Sequence, residues 1–255
     1  MPARPAEPGV LERSVQLLKL LATAGRRGLA LTQLSKSTDM AHSTVHRLLR
    51  QLMQERLVVQ RETGKGYALG PLAFELGLAA APSYDLREHC QPGMRQLAEE
   101  LGDTVYLSVR SGIESVCQAR EEGPSPIRVN TLSIGSRRPL GLGAGGLAIL
   151  SHLPAAEYEE VMSHILPRVQ TEAGLDERTL RAAVAQTRRN GYSFIRNRVT
   201  LGVTAVGVPI FDSLDRPIAA ISIAAIDERM RADRIALLAA NLQQQARLMG
   251  RLAPV

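Results

Sequence analysis

Apolar residues recur at helical spacing over residues 10–24, where Leu11, Val15, Leu18 and Leu21 form a stripe at i, i+4, i+7 and i+10. Leu17 and Leu20 widen the stripe beyond what one core face needs. The segment therefore reads either as a fully buried helix or as one that also packs on a second subunit. Gly25 and Gly28 end it, as glycine does at helix C-termini. A shorter helix is expected over 33–38 with Thr32 as its cap. Asp39, Met40 and Ala41 make a tight turn, and a third helix opens at His42 or Ser43 and runs to about Arg56. That helix has two unlike sides: Val45, Leu48, Leu49, Leu52 and Met53 on one, Ser43, Thr44, Arg47, Arg50 and Gln54 on the other. A strand at 57–61, a glycine-containing turn at 62–66 and a strand at 67–69 follow as a hairpin.

Beyond the hairpin, residues 71–81 are apolar and helical, and Pro82 with Ser83 interrupts them. A helix over 85–101, bent or restarted at Pro92, turns Met94, Leu97, Ala98 and Leu101 to a core. The remainder alternates strands at 105–110, 115–120 and 127–131 with turns at Ser111-Gly112 and Gly123-Pro124. Then come a helix from Gly145 to His152, helices over 157–165 and 176–190, strands at 192–195, 203–211 and 218–225, and a last helix over 231–252. Strands joined by short turns pair antiparallel, and helices collected around such a sheet make an α+β fold.

Charge divides the chain where the pattern does. Residues 1–70 hold 11 Lys and Arg against 5 Asp and Glu, which is the whole excess of +6; the other 185 residues hold 20 of each sign. A basic block beside a neutral one points to a polyanion-binding module joined to something else, although an excess of six is also found on ordinary soluble domains. The 255 residues are enough for two domains, and with no Trp and three Phe their cores must be built from Leu, Ile, Val and Ala.

The third helix and the hairpin together carry the chemistry of nucleic-acid recognition. N-terminal residues of a helix lying in a major groove reach base edges, Ser and Thr touch bases or phosphates, and Arg pairs with guanine through two hydrogen bonds. A basic helix face alone would equally suit a solvated surface. The hairpin directly behind it is the wing of a winged helix-turn-helix, with Arg61 and Lys65 at its rim. The residues expected to meet double-stranded DNA are Thr32, Ser43, Thr44, His46, Arg47, Arg50, Arg61 and Lys65.

Other chemistries are argued against. His42 and His46 stand at i, i+4, but no third ligand is arranged near them, so no metal site is expected. Cys90 and Cys117 are lone thiols, which suits a reducing cytoplasm. The first ten residues lack the apolar core of a signal peptide, residues 1–8 read as a disordered tail, and no run approaches a membrane span of about 18 apolar residues. Gly141 to Gly146 contains G-x-G-x-x-G, but Ser136-Arg137-Arg138-Pro139 precedes it where dinucleotide binding needs a hydrophobic strand, so no nucleotide cofactor is expected. A helix start with bare amides, suited to a small anion, fits better. His89, His152, His164 and the cysteines make no recognisable catalytic arrangement, and an enzyme is not expected.

Six stretches carry a resemblance: VLERSVQLLKLLA, STVHRLLRQLMQERLV, YALGPLAFELG, MRQLAEELGDTVYLSVRSG, RRPLGLGAGGLAILSHLP and GVTAVGVPIFDSLDRPIAAISIAA. In this order, from Val10 to about Leu252, the chain resembles the IclR family of bacterial transcription regulators. The resemblance implies a winged helix-turn-helix over 9–70, linker helices over 71–91 and a GAF-like effector-binding and oligomerisation domain over 92–255. It also implies homodimers, often paired into tetramers, on a near-palindromic operator. Carried over by position, the effector pocket would include Leu142, Ala144, Gly145, Ile195, Ala205, Ser222 and Ala224. Two departures stand out: Leu147 replaces a common Lys, and Ile195-Arg196-Asn197-Arg198 replaces an acidic run. The pocket is therefore expected to be more apolar and to take an aromatic or larger organic acid, with Arg196 or Arg198 as the anion contact. A nucleotide-type ligand, or a domain serving oligomerisation only, is the alternative.

Overall fold

The computed structural model describes residues 9–24, 27–61, 64–84 and 86–252, so the expected tail at 1–8, Gly25, Glu62 and Thr63 of the wing turn, and Asp85 lie outside the described residues. The chain forms two compact units that divide at Tyr84 and Asp85.

The first unit holds α1 (Val10–Leu21), α2 (Leu31–Thr38), α3 (His42–Gln54), β1 (Val58–Gln60), β2 (Tyr67–Leu69) and α4 (Pro71–Tyr84). Its core is Leu17, Leu21, Leu34, Val45, Leu48, Leu49, Leu52, Val58 and Tyr67. The turn between α2 and α3 is made by Asp39 in the left-handed region at φ 54°, and Ser35 Oγ pins it by donating to the Met40 carbonyl at 2.6 Å. Thr32 is not the cap of α2: the helix begins a residue earlier, Ala30 stands at the N-cap, and Gln33 Oε1 takes the Ala30 N–H at 2.8 Å. On α1 the buried residues are Leu17 and Leu21, whereas Leu11 and Val15 of the expected stripe are exposed. Leu18 and Leu20 pack on the rim of the core, so the buried face is rotated from the one read in sequence. Pro82 does not interrupt α4, which continues to Tyr84.

The hairpin is anchored from below. Leu29 pairs with Tyr67, exchanging N–H···O bonds of 2.8 Å in both directions, and so adds a third short extended segment to β1 and β2. Gly28 makes this approach possible: it sits at φ 70°, and a Cβ there would come 2.5 Å from the Tyr67 carbonyl oxygen.

The second unit comprises α5 (Leu86–Leu101), β3 (Thr104–Ser111), β4 (Glu114–Glu121), β5 (Arg137–Pro139), α6 (Ala144–Ser151), α7 (Ala155–Ala173), α8 (Glu177–Asn190), β6 (Ser193–Arg196), β7 (Val203–Phe211), β8 (Pro217–Ile226) and α9 (Ala232–Leu252). Its strands form one sheet in the order β5-β4-β3-β8-β7-β6, antiparallel at every pairing. The fold is α+β. Because side chains alternate along each strand, the sheet has two unlike faces. Val105, Leu107, Val206, Val208, Ile221 and Ile223 face a core with Cys90, Met94 and Leu97 of α5 and Leu238, Leu242 and Met249 of α9. Leu86 and Cys90 belong to that core, so α5 is part of this unit from its first turn rather than a linker as far as residue 91. The other face carries small residues, and α6, α7 and α8 build a second core over part of it.

Two strand readings need correction. Residues 127–131 are not a strand but an irregular segment laid over the sheet, where the Tyr106 hydroxyl donates to the Val129 carbonyl and itself accepts the Thr131 N–H at 3.2 Å. The edge strand is instead β5, whose Arg137 and Arg138 pair with Val116 and Ser115.

Candidate functional site

α3 buries Val45, Leu48, Leu49 and Leu52, which turns Ser43, His46, Arg47 and Arg50 outward. Thr32, Arg61 and Lys65 are exposed as well. Thr44 is half-buried, in a shallow depression with Arg13, Gln16 and Thr38. Lys65 takes φ 51° at the wing tip, beside Gly64 at φ 84°. Among the described residues, Arg47, Arg50, Arg61 and Lys65 take part in no ion pair, and the first turn of α3 carries no acid. Several arginines of the second unit are paired instead: Arg110 with Glu157 at 2.7 Å, Arg137 and Arg168 with Glu114 at 2.8 Å each, and Arg181 with Glu159 at 2.8 Å. The cations of α3 and the wing thus keep their field for an external anion. Arg27, which sequence reading passed over, is also exposed and borders a hollow with Gln33 and Arg61 beside the wing.

The second unit holds a cavity on the small-residue face of the sheet, with about 600 Å³ of space between its atoms when the open solvent at its mouth is counted. Tyr106 and Ser108 of β3, Ser115 and Cys117 of β4, Ala205 of β7 and Ser222 and Ala224 of β8 line its floor. Thr131, Leu132 and Val199 come from loops, and Leu142 to Gly146 form the wall at the start of α6. Of the residues carried over from the family, Leu142, Ala144, Gly145, Ile195, Ala205, Ser222 and Ala224 all border this space.

The glycine run earns its place by geometry. Gly141 and Gly143 take φ 93° and 79° in the turn that opens α6. A Cβ on Gly145 would come 2.9 Å from Ser108 Oγ, and one on Gly146 would come 3.0 Å from Ser115 Oγ. The first turn of α6 therefore lies directly on the sheet. No side chain caps it, so its N–H groups and the positive end of the helix are open to a ligand.

Arg196 is not in the cavity, nor is Arg198; both border a separate groove along α8. Strand alternation is the reason. Ile195 points to the cavity, so its neighbours Phe194 and Arg196 point away, with the guanidinium 5.3 Å from the Phe194 ring centre. The arginine that does line the cavity is Arg138 of β5, half-buried, with Nη2 donating to the Thr131 carbonyl at 2.7 Å. Burial pulls its pKa down from the ordinary value, against the opposing influence of Tyr106, Cys117 and Glu172. The consecutive arginines before Pro139 were the signal for it: on a strand, one of any adjacent pair faces each side. Burial also pushes the Cys117 thiol up to about 11 and raises Tyr106.

The other polar groups serve the fold. His152 bonds the Ala148 carbonyl at 2.9 Å and packs edge-on to Phe211, and His164 bonds the Glu160 carbonyl at 2.8 Å. Among the described residues no three His, Cys, Asp or Glu side chains cluster as metal ligands would. Among the described residues no helix is long and apolar enough to cross a membrane.

Comparison with known proteins agrees with this division. Residues 10–62 match the IclR helix-turn-helix domain and residues 78–251 match the bacterial transcriptional regulator IclR C-terminal domain. The transcriptional regulator KipR of Bacillus subtilis is 30% identical over 92% of this chain and 92% of its own. The transcriptional repressor IclR of Escherichia coli is 31% identical over 88% of this chain and 82% of its own. Among solved structures, an IclR regulator of Alicyclobacillus acidocaldarius superposes with a TM-score of 0.76 at 22% identity, covering 96% of this chain and 98% of that one. Pseudomonas aeruginosa HmgR superposes with a TM-score of 0.54 at 25% identity, over 94% and 97%. The relatives are regulators rather than enzymes, and the chain belongs to the IclR family of DNA-binding transcriptional regulators, with a C-terminal effector domain.

Proposed function

We propose that a small organic acid, held in the cavity of the second unit, sets the affinity of the first unit for its operator. The observation that carries this reading is the cavity itself: among the described residues its lining includes one arginine and no carboxylate, with apolar walls from Leu132, Leu142, Ile195, Val203 and Ala205. Such a space favours an anion with an apolar body over a cation or a sugar. The acid regulates only if it binds the DNA-competent and DNA-incompetent arrangements with different affinity.

On the DNA side, Ser43, Thr44, His46, Arg47 and Arg50 are assigned to base edges and adjacent phosphates, and Thr32, Arg61 and Lys65 to the backbone. Support comes from their placement on α3, at the start of α2 and on the wing, and from the absence, among the described residues, of ion pairs at the four cationic residues. The working form is a homodimer, or two dimers paired, on a near-palindromic operator in the cytoplasm. Exposed apolar residues on α1 (Leu11, 78% exposed) and α4 (Phe74, 68%) are consistent with a second copy packing there. A footprint on the regulator's own promoter region, with and without candidate acids, tests the whole reading. Thermal stabilisation by nucleotides and not by organic acids would replace it with a nucleotide-sensing domain.

A further inference from the structure

Burying a guanidinium is unfavourable unless a counter-charge is buried with it. The second unit keeps this rule at its other buried charges. Arg137 and Arg168 share Glu114, and Arg229 and Arg234 hold the buried Asp103 at 2.9 and 2.6 Å. Arg138 breaks it. Among the described residues its one hydrogen bond goes to a neutral carbonyl, Thr131, and no carboxylate lines the cavity it faces. Glu172, an acid whose charge reaches it, is bonded instead to Arg168 at 3.1 Å.

Around this guanidinium other unmet donors converge. Ser115 stands opposite Arg138 in the pairing of β4 with β5, so both side chains lie on the same side of the sheet. Arg138 Nη1 is 3.6 Å from where a Cβ on Gly143 would lie, and Gly143 is the N-cap of α6. Ser108, Ser115 and Ser222 are 3%, 7% and 5% exposed, line the cavity, and have hydroxyls with no hydrogen-bond partner among the described residues. Their oxygens are not sealed in the interior but keep surface in the cavity, so their hydrogen bonding falls to whatever occupies it. Here they open onto the same space as the guanidinium and the first turn of α6.

We infer that Arg138 is the counter-ion of the effector, gripping its acid head between the guanidinium, the first-turn N–H groups of α6 and the Ser115 hydroxyl, and that the cavity selects mono-anions. This rests on the organic-acid reading above and narrows it. A second negative charge on the ligand would have to lie against Leu142, Ile195, Val203, Ala205 and Ala224, where no cation meets it. The Arg196 and Arg198 side chains take no part.

The test uses the full chain, calorimetry and thermal unfolding. The probes are benzoate, phenylacetate and cinnamate, each beside its neutral amide, and the dianion terephthalate. The wild-type protein is expected to bind at least one of the three acids tenfold more tightly than its amide, and to bind terephthalate more weakly than that acid. Arg138→Met should weaken that acid at least tenfold while leaving the amide unchanged, and should unfold at the wild-type temperature or above, because the uncompensated buried charge is gone. Arg138→Lys should recover part of the loss, since it restores charge without the planar fork. Acid binding that survives Arg138→Met overturns the inference and leaves the organic-acid reading standing. Equal weakening of acid and amide with a lower unfolding temperature assigns Arg138 to structure and overturns it too. If none of the three acids binds the wild type, both the inference and the reading beneath it fall.

Discussion

Ile195 and Arg196 are neighbours on β6 and serve opposite sides of the sheet: Ile195 borders the cavity, while Arg196 donates to the Met230 carbonyl at 2.8 Å and to Thr204 Oγ1 at 3.1 Å. Arg196 thus ties the end of β6 to the segment that leads into α9. Arg196→Ala is expected to lower stability by about 1 kcal/mol, the net worth of a part-exposed hydrogen-bonded side chain, and to leave acid binding unchanged. Denaturant unfolding and calorimetry on the same samples check both halves. Loss of acid affinity without loss of stability would return this arginine to the cavity.

The assignment on α3 separates reading bases from holding phosphates. Arg47→Ala and Arg50→Ala should each weaken operator binding by about 1–3 kcal/mol and non-specific DNA much less. Lys65→Ala should weaken both alike and lower the slope of log affinity against log salt by about 1. Fluorescence anisotropy on operator and random duplexes across a salt series reads all three. Equal losses on both DNAs for every variant would remove α3 from base recognition.

The wing depends on a residue that sequence reading placed at the end of a helix. Gly28 lets the Leu29 segment run against Tyr67, and alanine there meets both an unfavourable φ and the Tyr67 carbonyl. Gly28→Ala should cost about 1–3 kcal/mol of first-unit stability, as backbone strain of this kind does. Since Tyr67 is buried in the core beneath the hairpin, DNA affinity should fall with it. Local hydrogen exchange at the Leu29 and Tyr67 amides would show the loosening; unchanged protection would show that the contact is not what seats the wing.

These cases mark what was legible in the chain. β7 was read at its observed bounds, Val203–Phe211, because a long apolar run between glycine and turn signals has one reading. Residues 127–131 were misread because Ile127, Val129 and Thr131 alternate as a strand does; their backbone instead bonds Tyr106 from above. The stripe on α1 includes Leu11 and Val15, which this unit leaves exposed, because periodicity does not distinguish a core from a partner. The adjacent Arg137 and Arg138 show that one of the two faces the cavity side, but not that a cavity lies there, because it joins Ser108, Arg138, Ile195 and Ser222 from four strands.

Glu114 should make the second unit acid-sensitive. Burial alone would raise its pKa, but hydrogen bonds from Arg168 and Arg137 outweigh burial and hold it below the ordinary value of 4.5. A carboxylate with a depressed folded-state pKa contributes its full stability above the unfolded-state value and loses it as pH falls through the folded-state value. Glu114→Gln is therefore expected to cost about 1.5–3 kcal/mol at pH 7, the range for hydrogen bonds to a charged group. The difference from wild type should shrink below pH 4.5. Parallel thermal scans between pH 3 and pH 7 check this, and a gap that stays constant across that range would show that the charge of Glu114 contributes nothing.

The two thiols offer a probe of cavity occupancy that requires no substitution in its lining. Cys90 is sealed in the core between the sheet and the α5–α9 layer, with its pKa pushed up to about 12, whereas Cys117, at about 11, lines the cavity. The thiolate is the reactive form, so at pH 8 only a small fraction of Cys117 is primed and a smaller one of Cys90. Both should react far more slowly with an aromatic disulfide reagent than a free cysteine does, and Cys117 should be the faster because the cavity gives the reagent a path. A bound acid should slow Cys117 further and leave Cys90 unaffected, since only one of them shares its space. Mass spectrometry of partially modified protein distinguishes the two positions. Protection of both alike would indicate that the ligand rigidifies the whole unit, and protection of neither would place the acid elsewhere.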